Sequence, residues 1–346
     1  MSDIETIHVI SKKDNSQHAV VTIENPLRQL PPSSVRVRPL LLSLSSNNLS
    51  YARGGEKLHW YVMTYDLSRA MLMGLNRQLR WDTYPVPSAA PAPYNDQSAW
   101  GIVPAWGYGT VLESTTDIAP GSTLWGFWPT SGLPTDLTLI PGEPRGHWIE
   151  VSEHRQRLMT YYNRYEVVQE DDRDNMAWAA SMIWGAGYLL SEYVFSPTGT
   201  PVHPYGGAAG LPWTTEDADL SSAVVVNLAA STKTARSFTY NLLCRPAGSG
   251  PLGVLQITSS PEALERAAER QIAKRQLVAG PVKALAYSDV DQAVPWLVGL
   301  KPSKLVIIDY GARDNVLLRL RELVQTHEAL QNCKVVIIQV GGQQKV

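Results

Sequence analysis

Ser222–Arg245, SAVVVNLAASTKTARSFTYNLLCR, reads as a buried strand that passes through a short polar turn into a helix. An α/β protein puts a nucleotide phosphate at such a junction, because a helix N-terminus carries unpaired N–H groups and a partial positive charge. Three more apolar runs follow, Gly253–Thr258 (GVLQIT), Lys304–Asp309 (KLVIID) and Lys334–Gln339 (KVVIIQ), with helical segments between them. Continuous Val, Ile and Leu, without alternation, imply strands covered on both faces. This part of the chain therefore predicts a doubly wound, Rossmann-type parallel sheet.

The turn in the first unit has no glycine. A dinucleotide fingerprint uses glycines so that the backbone approaches the pyrophosphate; here Leu228-Ala229-Ala230 precede Ser231, Thr232, Lys233 and Thr234, which offer three hydroxyls and a cation as phosphate contacts. The alternative is that Ser231 only caps a solvated helix start. Set against a P-loop, Lys233-Thr234 align with its Lys-Ser/Thr pair, but its two required glycines fall on Asn227 and Thr232, which argues against an NTPase.

A chain of 346 residues exceeds the size at which one core keeps growing, so two domains are expected. The formal net charge of −2 and the lack of a long basic run argue against nucleic acid or an anionic membrane as partner. No apolar stretch is long enough to span a bilayer. The N-terminal MSDIETIHVISKKD has charges where a signal peptide needs an apolar core, so a cytoplasmic protein is expected. With only Cys244 and Cys333, neither a disulfide framework nor a thiolate-rich zinc lobe is expected. His147 and His154 match no recognised ligand spacing, so no metal is expected, and no Gly-x-Ser-x-Gly elbow signals a serine hydrolase.

The N-terminal half is built of short strand-like pieces broken by Pro and Gly: Ala19–Ile23, Ser34–Leu44, Trp106–Glu113, Ser122–Trp128 and Leu137–Pro141. They predict a small, irregular β-barrel. Asp174–Phe195 reads as a long apolar helix with Asp174 as N-cap, of the kind expected where domains meet, and Ser196–Leu220 reads as a surface loop. The expected organisation is a barrel domain over residues 1–173, a linking helix over 174–195 and a nucleotide-binding domain over 196–346.

A barrel, an apolar linking helix and a Rossmann domain, in that order, resemble the medium-chain dehydrogenase/reductase superfamily with its GroES-like barrel, and in particular its zinc-independent quinone oxidoreductase branch. The segments SSNNLSYARGGEKLHW, WDTYPVP, WGYGTVLEST, GSTLWGFWPT, YYNRYEVV and NLAASTKTA are similar to those of a quinone-oxidoreductase-like family found in bacteria and in fungal biosynthetic gene clusters. The resemblance implies a fold and an NADPH site with no established substrate: hydride transfer from NADPH to an activated double bond or quinone in small-molecule biosynthesis, and a homodimer. It also implies roles for Tyr51 and Arg53, which stand as the Tyr-x-Arg-x-Gly element bordering the substrate cleft of quinone oxidoreductases. Tyr51 is then the group that donates to a developing oxyanion; as a barrel-core tyrosine it would instead meet a structural partner. Trp60, Trp100, Trp106, Trp125 and Trp128 either wall an aromatic cleft or fill the barrel.

The second strand ends Thr258-Ser259-Ser260 where an NAD site places a carboxylate, which favours NADPH. Ser259, Arg266 or Arg270 are candidates for the 2′-phosphate, the arginines fitting equally the solvated face of a helix over Pro261–Gln276. Two features depart from the family. Residues 61–80 separate GEKLHW from WDTYPVP and read as an insertion with the length of a short retained intron, and the chain ends soon after Lys334–Gln339, where the family continues, which puts the dimer in doubt. Two other functions stay open: a non-catalytic or auxiliary relative with impaired nucleotide binding, and a non-redox cyclase or dehydratase on the same fold.

Overall fold

The computed structural model describes residues 3–25, 28–53, 81, 83–156, 158, 160–168, 183–204, 212–275 and 279–342. The chain divides into two compact units, Met1–Ser181 and Met182–Val346. The insertion read over 61–80, Trp60, the Asp174 cap and the residues after Gly342 lie outside the described residues.

In the first unit, strands β1 (Asp3–Ser11), β2 (His18–Asn25) and β4 (Trp100–Gly101) form a small sheet in the order β2-β1-β4. The closed barrel runs β3-β5-β6-β9-β8-β7, from β3 (Ser34–Ser43), β5 (Pro104–Ser114), β6 (Thr123–Pro129), β7 (Thr135–Pro141), β8 (His147–Glu150) and β9 (Arg164–Val167). Closure removes free edges, so pieces this short remain paired. Val35, Val37, Val111, Leu124, Trp128, Leu137, Leu139 and Tyr165 fill the interior. The Gly126 of GSTLWGFWPT has a packing reason, because a Cβ there would collide with the Tyr165 ring. The helix α1 (Ser46–Arg53) carries the SNNLSYAR segment.

The second unit is a five-stranded parallel sheet in the order β12-β11-β10-β13-β14, made of β10 (Ala223–Leu228), β11 (Gly253–Thr258), β12 (Val282–Ala286), β13 (Lys304–Tyr310) and β14 (Lys334–Gly341). Every residue of β10, β11 and β13 is buried, as their unbroken apolar runs demand. One face packs Val224, Val226, Leu228, Leu255 and Ile257 with Leu297, Val316, Leu320 and Val324; the other packs Val225, Val254, Val306 and Ile308 with Phe195, Phe238 and Leu242. The fold is thus a GroES-like barrel followed by a Rossmann-type doubly wound sheet.

The described part of the apolar helix is α2 (Ile183–Leu189), which continues as one π-helical turn over Leu190–Val194. It packs on α4 (Lys233–Leu243) at Gly187, where a side chain would meet the Thr234 carbonyl oxygen and the Phe238 nitrogen. The segment Ser196–Leu220 is not all loop. Thr214 and Asp217 form a capping box that starts the single-turn helix α3 (Thr215–Ala218). Further helices are α5 (Pro261–Arg275), α6 (Ala293–Leu300) and α7 (Val316–Thr326). No helix among the described residues is long and apolar enough to cross a membrane.

Candidate functional site

Strand β10 pairs in parallel with β11 on one side and β13 on the other, so the strand order reverses across β10 and β13. Open α/β sheets bind ligands outside the carboxyl ends of the strands at such a point. The chain leaves β10 through Ala229 in the left-handed region, at φ 58°, the conformation a glycine adopts at less cost. The Ala230 N–H then donates to the Ile257 carbonyl at 3.0 Å, and the Thr232 N–H to the Ala229 carbonyl at 3.1 Å. Neither alanine methyl faces solvent. Ala229 joins the core beneath α4, and Ala230, 0% exposed, packs against Leu264 and Ala284.

The helix cap is Thr232, not Ser231. Its Oγ1 accepts from the Ala235 N–H at 3.4 Å, and its own backbone stays extended. Ser231 stays exposed between the left-handed Ala229 and the cap. Lys233 opens the helix half-buried, and burial lowers its pKa. Thr234 turns inward: it is buried, and its hydroxyl donates to the Ile183 carbonyl at 3.4 Å, so it packs α4 against α2 and does not face solvent.

At the end of β11, Thr258 is fully buried and its Oγ1 accepts from the Ser260 N–H at 3.2 Å, holding the turn. Its hydroxyl is therefore withdrawn from any ligand, whereas Ser259 is exposed. Arg266 and Arg270 lie on the exposed face of α5, and Arg266 pairs with Glu262 at 3.3 Å one turn away.

Two further features of this edge lie outside the residues expected from the sequence. Asp309, paired in register with Leu228, is buried and accepts from the Gly311 and Ala312 N–H groups at 2.9 and 2.8 Å, which sets the turn after β13. Beyond it, the Arg313 guanidinium lies 5.1 Å from the centre of the Tyr287 ring, which follows β12. The acidic end of KLVIID signalled the first; nothing signalled the second, since β12 itself has no apolar run.

In the barrel unit, Tyr51 sits on α1 with 5% of its surface exposed. Its hydroxyl accepts from Trp106 Nε1 at 3.1 Å, and its ring stands edge-on to Phe127 and Tyr162. Burial raises its pKa, so the phenol stays protonated across the neutral range. Arg53 closes α1; its side chain lies outside the described residues. Trp125 stacks on Trp106 at 5.0 Å and belongs to this cluster, whereas Trp128 fills the barrel core, its Nε1 donating to the Gly107 carbonyl at 3.0 Å. Trp100 packs on Tyr94 beside the small sheet. Among the described residues, no group of three His, Cys, Asp or Glu side chains is placed to hold a metal. The His147 Nδ1 accepts from Arg164 Nε at 2.9 Å, and His154 is exposed.

Residues 73–346 match the model of the family described as "Protein of unknown function (DUF2855)", and the chain belongs to that family. No curated protein matches the sequence. Among solved structures, the chain is similar to a mutant form of enoyl thioester reductase from Candida tropicalis, at 9% identity and TM-score 0.47 over 98% of this chain and 76% of that one. It is also similar to the CurF ER cyclopropanase of the curacin A biosynthetic pathway, at 11% identity and TM-score 0.41 over 97% and 81% of the two chains. A third likeness is to the human synaptic vesicle membrane protein VAT-1 homolog-like protein, at 9% identity and TM-score 0.39 over 98% and 79%. At such identities the chemistry has to be argued from this chain's own side chains.

Proposed function

We propose that this member of the DUF2855 family is a zinc-independent, NADPH-dependent reductase of an activated double bond or a quinone, acting in small-molecule biosynthesis. The observation that carries this is the placement of the two alanine methyls in the glycine-free turn. Both are buried within the protein, so neither stands between solvent and the N-terminus of α4. The glycines of the fingerprint matter because they clear the path of the pyrophosphate; here burial of the methyl groups would clear it instead.

Ser231 and Thr232 would hold the pyrophosphate by their hydroxyls, Thr232 donating while its oxygen still accepts from Ala235, with the Lys233 ammonium and the helix end completing the anion site. A phosphate beside Lys233 would oppose the effect of burial, which lowers its pKa. Ser259, exposed at the strand end, would contact the 2′-phosphate, and the uncharged strand end gives that phosphate no carboxylate to repel it. Thr234 and Thr258 shape the site from behind. When bound, NADPH supplies the hydride. Tyr51, kept protonated by burial, would donate to the oxyanion that develops on the substrate, with Arg53 as the second member of that element. A homodimer in the cytoplasm is part of the proposal.

The burial of Tyr51 favours a second reading, a non-catalytic or auxiliary relative that keeps the fold with impaired nucleotide binding. Quenching of tryptophan fluorescence by NADPH and NADH, followed by NADPH oxidation in the presence of an enone or a benzoquinone, separates the two. Tighter NADPH binding with oxidation supports the reductase. No binding, or binding without oxidation of either acceptor, selects the non-catalytic relative and removes the reductase.

A further inference from the structure

The barrel unit contains a cavity of about 260 Å³ that the proposed reductase chemistry does not use. Pro85, Asp136 and His154 in its lining are exposed, so it opens to solvent. Ile102, Pro129, Leu133 and Leu137 give it apolar walls, and two charged side chains, Glu150 and Arg155, each only 1% exposed, line it as well.

The bonding of those two charges is unequal. Arg155 Nε donates to Asn163 Oδ1 at 3.2 Å, Nη1 to the Tyr165 and Tyr84 hydroxyls at 2.9 and 3.2 Å, and Nη2 to the Tyr162 carbonyl at 2.8 Å. Glu150 Oε1 accepts from the Ser152 N–H at 3.1 Å and from the Ser152 hydroxyl. Glu150 Oε2 lies 3.5 Å from Arg155 Nε, whose proton is directed at Asn163, and has no hydrogen-bond donor among the described residues. The carboxylate is therefore neutralised as a charge but unsatisfied as an acceptor. A buried acceptor left in that state is costly unless something from the cavity donates to it.

We propose that this cavity binds a small neutral molecule with an apolar ring and one hydroxyl or amide N–H, which donates to Glu150 Oε2. The volume sets the size, since an engineered cavity of about 150 Å³ already accepts benzene. The charges set the class. Glu150 faces Arg155 at 3.5 Å and Asp136 pairs with Arg36 at 2.8 Å, so these charges are balanced and offer an ion of either sign no unpaired counter-charge. A neutral donor needs none and matches the apolar walls.

The test uses the full chain and three probes of nearly equal shape: phenol, which donates; anisole, which only accepts; and toluene, which does neither. Ligand-observed saturation-transfer NMR titrations should give phenol an affinity about tenfold above anisole and toluene, the usual worth of one hydrogen bond to a charged acceptor. Glu150→Gln, which presents an N–H at this position, should erase the preference of phenol over anisole. Thr135→Trp, a substitution at a half-buried lining residue, should abolish phenol binding while the circular dichroism spectrum is unchanged, and it carries the test if the buried Gln variant does not fold. Equal affinity for the three probes, phenol binding that survives Thr135→Trp, or no binding at millimolar concentrations would each overturn the proposal.

Discussion

Replacing Gly187 by alanine should destabilise the second unit although alanine is the better helix former. An ideal Cβ at this position lies 2.5 Å from the Thr234 oxygen, 2.5 Å from the Phe238 nitrogen and 2.6 Å from Ser237 Cβ. Those separations are roughly 1 Å short of ordinary contact. Two of the three atoms are backbone of α4, so relief requires the helices to part. Parting them weakens the Ser237 hydroxyl bond to the Trp184 carbonyl, at 2.5 Å, and the Thr234 bond to Ile183. Overpacking costs about 1–3 kcal/mol and a weakened hydrogen bond about 1 kcal/mol, while propensity returns about 1 kcal/mol. The net loss is about 1–3 kcal/mol, or roughly 3–10 °C in Tm for a domain of this size. Gly185 supplies the control. It is exposed on the same helix with nothing within 4 Å of a Cβ, so Gly185→Ala should be neutral or stabilising by up to about 1 kcal/mol. Urea and thermal unfolding followed by circular dichroism decide it. If Gly187→Ala melts with the parent or with Gly185→Ala, the close approach of the two helices is wrong.

Thr232→Ala should cost about 1 kcal/mol in urea unfolding through loss of the cap, whereas Ser231→Ala should cost nothing measurable. Lys233→Ala should weaken NADPH about tenfold at low salt, by fluorescence titration; Thr234→Val should lower the melting temperature and leave NADPH affinity unchanged. Arg155→Met should destabilise by about 3–5 kcal/mol because Glu150 is left buried and unpaired, and adding Glu150→Leu should recover much of that loss in the same unfolding assay. The Thr214 N–H and the Lys334 ammonium lower the Asp217 pKa from 3.8 to about 2. A depressed carboxyl stabilises the fold above its unfolded pKa, so this contribution should be complete above about pH 4 and lost as the pH falls towards 2. Asp217→Asn should flatten that part of the acid-unfolding curve.

What could be read without coordinates was whatever the backbone period writes into adjacent residues. AVVVNL, GVLQIT and KLVIID are apolar on both faces because each is covered on both faces, and they appear as β10, β11 and β13 at the positions their runs predict. The helix after Pro261 is likewise a local matter. β12, VKALA, escapes because its five residues carry no run or alternation of their own, and pairing with β11 makes it a strand. β8 and β9 are held in the same way by barrel closure. The helix starts after Thr232, and Ala229 before it adopts a left-handed φ, a choice that no residue pattern announces for alanine. The same choice buries the two methyls on which the cofactor reading depends. The Arg155 network is furthest from the reach of sequence. It gathers Tyr84, Glu150, Tyr162, Asn163 and Tyr165 around one guanidinium. Tyr84 reaches the other five from the segment between α1 and β4, and only the resulting geometry leaves Glu150 Oε2 without a donor among the described residues. Periodicity fixes which face of an element is apolar; which distant polar atom is satisfied depends on where the elements meet.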